Sequence, residues 1–307
     1  MKVLITGGAG FIGHHLALHL KRLGYEVVCL DNLSRASEDA LKVLRDGSVK
    51  LLVGDVVTYK SLREVFNSFR PEVVVHAAAL ISVDESFEKP EEYFNNNVVG
   101  TLNVVRSVVE CGVLRLIYVS SAAVYGDPVR LPIREDHPTN PKSPYGLSKL
   151  FGEEVVKLYS RLYGFNYVIL RLFNVYGPRQ PLNQYSGVIL KFVYNARRNL
   201  PLTVYGDGNQ TRDFIHVVDV CRAVELSILT KYVNEVYNVG SGRPVSINEL
   251  VKVVSTVRKS DVGVVYMPPR PGDIIHSYAD ISKATTYLGF KPSITIEEGI
   301  RELLEVR

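Results

Sequence analysis

The stretch Lys2-Val-Leu-Ile-Thr-Gly-Gly-Ala-Gly-Phe-Ile-Gly13 decides how the chain folds. A short apolar run, Lys2 to Thr6, reads as a strand, and Gly13 to Leu23 carries a helical pattern. Gly7, Gly10 and Gly13 lie between and at the start of these elements. Missing side chains there allow a tight turn and let a pyrophosphate approach backbone N–H groups at the helix N-terminus. The spacing is G-x-x-G-x-x-G rather than G-x-G-x-x-G, so the flanking strand and helix carry much of the argument. Asp31 ends a second strand 18 residues beyond Gly13, where a carboxylate meets ribose hydroxyls and repels a 2′-phosphate. That favours NAD over NADP, although Arg35 is close enough in sequence to receive such a phosphate. Asp55, after a third strand, is placed to meet the adenine, with a solvent-facing strand end as the competing reading.

Working outward, Glu26 to Asp31, Val49 to Gly54, Glu72 to Ala78, Leu114 to Ser120 and Tyr167 to Phe173 also read as strands. Leu62 to Phe69, Glu91 to Cys111 and Tyr145 to Tyr163 read as helices. The strands are apolar without period-2 alternation, as a parallel sheet covered on both faces requires. The expected fold is therefore α/β, a doubly wound parallel sheet of the Rossmann type. After Pro178 the texture changes to a polar loop, a helix near Val188 to Arg198 and a short strand Leu202 to Tyr205. Residues 217 to 229 and Glu235 to Val239 then read as a helix and a strand returning to the sheet. This gives a cofactor domain over 1–176, rejoined by a segment near 213–240, and a smaller interleaved substrate domain over 177–307.

Composition narrows the partners. The 307 residues are 46% hydrophobic, enough for a sizeable core, and the net charge of +4 is scattered rather than gathered. No nucleic-acid stripe and no polybasic membrane patch stands out. The three cysteines, Cys29, Cys111 and Cys221, have neither disulfide nor metal-ligand spacing, so no metal is expected and a reducing cytoplasm is the expected location. No apolar run approaches the length of a membrane span.

Tyr145-Gly-Leu-Ser-Lys149 places a tyrosine and a lysine at i and i+4 on one helix face. A phenol with a pKa of about 10 works as a base near neutrality only beside positive charge, which an ammonium and a nicotinamide cation supply. Ser121 ends the fifth strand and can hydrogen-bond the oxygen that the tyrosine deprotonates. The chain resembles the extended short-chain dehydrogenase/reductase family, and within it the nucleotide-sugar 4-epimerases of the UDP-galactose type. The resemblance spans essentially the whole chain. It rests on the glycine motif, His76-Ala-Ala-Ala79, Asn96-Asn-Val-Val-Gly-Thr101, Tyr118-Val-Ser-Ser-Ala-Ala-Val-Tyr-Gly126, the Tyr145 motif, Arg171-Leu-Phe-Asn-Val-Tyr-Gly-Pro178 and Arg212-Asp-Phe-Ile-His-Val-Val-Asp219.

The resemblance implies a catalytic group of Ser121, Tyr145 and Lys149. It implies NAD contacts at Gly7, Gly10, Phe11, Ile12 and Gly13, at Asp31 and Asn32, at Asp55 and Val56, and at Ala77 and Asn97, besides Tyr145 and Lys149. For a UDP-sugar it implies Ser121, Asn174, Arg212, Arg270 and Asp273, with Val188 and Tyr205 flanking the uracil. His76 is read as a structural histidine at a cofactor-lining strand end. Dehydratases of this fold carry Asp-Glu after the catalytic Ser/Thr and decarboxylases keep a glutamate there, whereas this chain has Ala122-Ala123. Epimerisation at C4 needs neither. A UDP-glucuronate 4-epimerase or another NAD-dependent nucleotide-sugar-modifying enzyme is the alternative within the fold, and a non-catalytic NAD-sensing regulator the alternative class. The family's size gate, four positions after Asp273, is Ser277, a small residue that implies entry of N-acetylated sugars. A homodimer is expected, built on Glu91 to Cys111 and Tyr145 to Tyr163.

Overall fold

Val3, Leu4 and Ile5 are all fully buried, yet they face opposite ways. Val3 and Ile5 join one apolar core and Leu4 joins another. That is the physical reason for an unbroken apolar strand: both faces of its sheet are covered. The structure, a computed structural model, describes residues 1–183, 186–269 and 272–305.

The chain runs β1 (Lys2–Thr6), α1 (Phe11–Arg22), β2 (Glu26–Asp31), α2 (Glu38–Asp46), β3 (Lys50–Val53), α3 (Tyr59–Phe69) and β4 (Val73–His76). It continues through α4 (Val83–Glu88), α5 (Pro90–Phe94), a π-helical turn (Asn95–Val99), α6 (Gly100–Glu110), β5 (Arg115–Ser121), α7 (Pro144–Tyr163) and β6 (Asn166–Leu172). Next come β7 (Asn174–Tyr176), α8 (Val188–Arg197), β8 (Leu202–Tyr205), β9 (Thr211–Arg212), β10 (Phe214–His216), α9 (Val217–Leu229) and β11 (Glu235–Val239). The last elements are β12 (Val245–Ser246), α10 (Ile247–Arg258), β13 (Val264–Met267), β14 (His276–Ser277), α11 (Ser282–Leu288) and α12 (Ile296–Glu305). Seven parallel strands form the main sheet in the order β11-β6-β5-β4-β1-β2-β3. Strand order reverses at β1 and β4, so the crevice beyond their carboxyl ends is the place where such a sheet binds ligands.

One face of the sheet is covered through Leu16, Leu20, Val220 and Val224 of α1 and α9. The other is covered through Phe66, Val104, Val108 and Val156 of α3, α6 and α7. A third core, including Phe192, Leu202, Leu250, Val254 and Ile300, belongs to the smaller lobe. Two buried carboxylates fasten the later chain. Asp213 accepts from the backbone N–H groups of Ser241 (2.6 Å), Gly242 (3.0 Å) and Ala279 (3.1 Å), and Asp219 accepts from those of Ser293 (3.0 Å) and Ile294 (3.1 Å). The sequence pattern differs from the structure in one informative place. Glu91 to Cys111 is not one regular helix: α5 and α6 are joined by the π-helical turn Asn95–Val99, a distortion often found at functional sites.

Candidate active site

The nucleotide end is built from strand ends. Gly7 leaves β1 with φ +73°, and a Cβ there would stand 2.6 Å from the Ala78 nitrogen. A Cβ on Gly13 would stand 2.0 Å from the Gly7 oxygen, so the turn and the first turn of α1 pack backbone against backbone. Asp31 fixes this turn from the side: Ala9 N–H donates to its Oδ2 at 2.9 Å and Leu33 N–H to its Oδ1 at 2.8 Å. Asn32 donates to Asp55 Oδ2 at 2.9 Å. Gly7, Gly10, Asp31, Asn32, Asp55, Val56 and Ala77 thus line one cleft, together with Ser34, Arg35, Gly54, Ala78 to Leu80 and Asn96. Phe11 and Ile12 open α1, whose N-cap Gly10 has no side-chain cap. A glycine cradle, uncapped helix N–H groups and a carboxylate at the end of β2 fit a dinucleotide.

Asn97 does not line this cleft; its neighbour Asn96 does. The Asn97 amide is fully engaged by protein, accepting from Leu80 N–H and donating to Leu80 O and Ser148 Oγ, each at 2.9 Å. Since Ser148 Oγ donates in turn to Tyr145 O at 2.8 Å, Asn97 ties the Ala77–Leu80 lining to the helix that carries Tyr145. His76 is satisfied at both ring nitrogens, by Thr6 (2.7 Å) and Thr101 (3.0 Å). Burial pushes its pKa down to about 3, so it stays neutral.

Tyr145 and Lys149 sit at the start of α7. Ser143 caps that helix by accepting from Gly146 N–H, and Pro144 occupies its first turn. This local chemistry puts Tyr145 and Lys149 on one buried face, 8% and 3% exposed. Burial pushes the Tyr145 phenol up, with a hydrogen bond to Ser121 pulling the other way. Ser121 Oγ is itself held by Ala123 N–H at 3.1 Å. The Tyr93 ring stands edge-on to Tyr145, 6.3 Å between centroids, and the Lys149 ammonium lies 4.3 Å from the Tyr118 ring centre. Burial lowers the Lys149 pKa to about 7, against the pull of Glu153. One turn on, Glu153 is fully buried, accepting from Ser120 Oγ at 2.6 Å and from Arg171. The spacing of the motif residues holds no sign of this carboxylate, because its partners come from β5 and β6.

β9 carries Arg212, and β14 pairs with it so that Ser277 lies opposite Arg212. Arg212 donates to Thr211 O at 2.9 Å; burial lowers its pKa, with Asp273 acting oppositely. Arg212, Asp273 and Ser277 are therefore brought together. Asn174 donates to Asp213 O at 2.8 Å, fixing β7 beside β10. Val188 opens α8 and Tyr205 ends β8, both partly exposed at the smaller lobe. Arg270 lies outside the described residues. His276, which neighbours Ser277, is engaged with Thr211 Oγ1 at 3.0 Å. Among the described residues no cluster of His, Cys, Asp and Glu could hold a metal ion, and no helix is long and apolar enough to cross a membrane.

Residues 3–240 match the model of the NAD dependent epimerase/dehydratase family. UDP-glucose 4-epimerase of Bacillus subtilis (strain 168) is 34% identical, over 97% of this chain and 94% of the relative. The solved structure of UDP-glucose 4-epimerase from Thermotoga maritima with UDP-glucose matches at a TM-score of 0.95 and 35% identity, covering 99% of this chain and 98% of that one. UDP-N-acetylglucosamine 4-epimerase from Methanobrevibacter ruminantium M1, in complex with UDP-N-acetylmuramic acid, matches at 0.93 and 36%, covering 99% and 97%.

Proposed function

Because the chain belongs to the NAD dependent epimerase/dehydratase family, we propose that it interconverts UDP-galactose and UDP-glucose through a transient 4-keto sugar. The observation that carries this reading is the group of Ser121 with buried Tyr145 and Lys149, at the carboxyl edge of a sheet whose glycine cradle fits a dinucleotide. Bound NAD supplies a reversible hydride acceptor for C4.

Tyr145 takes the C4 hydroxyl proton as the sugar is oxidised and returns it after the ring has turned its other face. Lys149 below pH 7 carries the positive charge that favours the phenolate, against the burial that opposes it. Ser121 orients the C4 oxygen. Ala122 and Ala123 supply neither the acid nor the base that loss of water or of carbon dioxide would use at those positions. Arg212 and Arg270 hold the diphosphate, which suits a fixed guanidinium fork, and Asp273 meets a ribose hydroxyl. Val188 and Tyr205 flank the uracil. Ser277 leaves room at the C2 substituent, so the N-acetylated pair is also accepted.

Two copies pair through the segment from Glu91 to Cys111 and through Tyr145 to Tyr163 of α7. Val99, just before α6, and Phe151, Leu158 and Leu162 of α7 leave 41%, 45%, 44% and 64% of their surface exposed, more apolar area than a solvated face needs. The protein works in the cytoplasm, in keeping with three free cysteines. The deciding experiment is NMR observation of UDP-galactose incubated with the protein. The expected result is an equilibrium mixture with UDP-glucose and no net change in nicotinamide absorbance; steady accumulation of NADH or of a keto sugar overturns the reading.

A further inference from the structure

Arg35 is the cation nearest in sequence to Asp31 on the cleft side, and it lines the cleft with Asp31, Asn32 and Ser34. A guanidinium there is what a 2′-phosphate would use. The structure gives it another partner. Arg35 Nη2 donates to both carboxylate oxygens of Glu85, at 2.7 and 2.9 Å. The Glu85 side chain is only 8% exposed, and it is fixed from the interior by Tyr93 Oη, which donates to Oε2 at 3.0 Å; Lys89 Nζ stands 3.9 Å away. Burial opposes ionisation of Glu85, but Arg35 and Tyr93 outweigh it, so the carboxylate stays charged.

The charges around the adenosine end therefore do not favour a phosphate. Asp31 and Asp55 line the cleft, and the arginine that lines it with them is matched by a carboxylate anchored in the protein interior. Resting on the reading of NAD as cofactor, we infer that Glu85 is a specificity-determining residue: it holds Arg35 away from the 2′-phosphate position, so the cleft takes NAD and rejects NADP. Asp31 repels the phosphate directly, and Glu85 removes the group that would compensate.

The test is fluorescence titration of the purified protein and its variants with NADH and, separately, NADPH. Glu85→Gln keeps the shape and removes the charge; it is expected to tighten NADPH about tenfold relative to NADH, the scale of one charge-assisted contact. The gain should vanish in Glu85→Gln/Arg35→Ala. Arg35→Ala alone should weaken NADPH less than about twofold, because Nη2 of the wild-type guanidinium is already bonded to the Glu85 carboxylate, and this variant decides the matter if Glu85→Gln does not fold. An unchanged NADPH/NADH ratio in folded Glu85→Gln, a gain that survives loss of Arg35, or a loss of NADPH affinity of about tenfold in Arg35→Ala overturns the inference. Wild-type protein that binds NADH but not in preference to NADPH sinks it too, whereas wild-type protein that binds neither sinks the cofactor reading itself.

Discussion

Arg171 grips Glu153 with two hydrogen bonds, Nε to Oε1 at 2.9 Å and Nη2 to Oε2 at 2.7 Å, in a region where both side chains are almost wholly buried. Burial alone would raise the Glu153 pKa; the guanidinium and Ser120 outweigh it and keep the carboxylate ionised. One helical turn away, that negative charge supports the Lys149 ammonium against desolvation.

Glu153→Gln should therefore lower the Lys149 pKa below its value of about 7. The lysine is charged below its pKa, so the alkaline limb of kcat/KM should begin at lower pH. A limb that begins a whole pH unit earlier costs about tenfold in kcat/KM at pH 8. Removing one partner of a buried ion pair also costs about 3 kcal/mol of stability. A pH–rate profile superimposable on the wild type, in a variant that melts earlier, would mean Glu153 is structural only.

Tyr145→Phe removes the proposed proton carrier while keeping the ring that packs on Tyr93. Turnover should fall by about 10² to 10⁴, the usual worth of general acid–base catalysis, with NADH affinity within about twofold of wild type. Turnover near the wild-type value would place the base elsewhere.

Ser277 lies opposite Arg212 in β14 and β9, so a larger side chain there would crowd the space beside Arg212, the arginine proposed to hold the diphosphate. Wild-type protein should turn over UDP-N-acetylglucosamine as well as UDP-glucose. Ser277→Tyr should cut kcat/KM for the N-acetylated sugar by at least about tenfold relative to UDP-glucose, as an unavoidable clash does. Equal ratios in the two proteins would remove the gate from position 277.

Acid should destabilise the fold through its buried histidines. Burial lowers the pKa of His14, His216 and His15, the last to about 4, where Nε2 donates to Pro178 O at 2.9 Å. The unfolded chain takes up a proton near pH 6.5, and the folded His15 does so only near pH 4. Between those values the unfolded state binds more protons, so stability is full above 6.5 and falls with pH, by about 3 kcal/mol for His15 alone. Denaturant midpoints at about pH 7.5 and about pH 5 should differ less in His15→Gln than in the wild type; an equal difference would free His15 from blame.

Much of this architecture is legible in the sequence because the signals are local. Glycines directly after an apolar run specify the β1–α1 turn, and Glu235 to Val239 is apolar enough to be recognised as a returning strand, which pairs with β6. What is not legible depends on partners far apart. Arg35 meets Glu85 across 50 residues, and Glu153 meets Arg171 from a different element; neither is visible from spacing. The π-helical turn at Asn95–Val99 is hidden for another reason: a helical pattern with one extra residue in a turn still looks helical. It is this turn that sets Asn96 at the cleft while Asn97 faces inward.

The buried carboxylate of Asp213 binds backbone at residues 241, 242 and 279, and β11 lies at the edge of the main sheet after the chain has already built much of the smaller lobe. The chain before residue 176 and the chain after it are consequently not modules that can be shuffled. A gene truncated after residue 176 would lack the strand that pairs with β6 and the helix whose Val220 and Val224 cover one side of the sheet, so an edge and an apolar face would be bared together. Exchanging everything after residue 176 with a relative would part β11 from the six strands it joins, so the cut would run through the sheet itself.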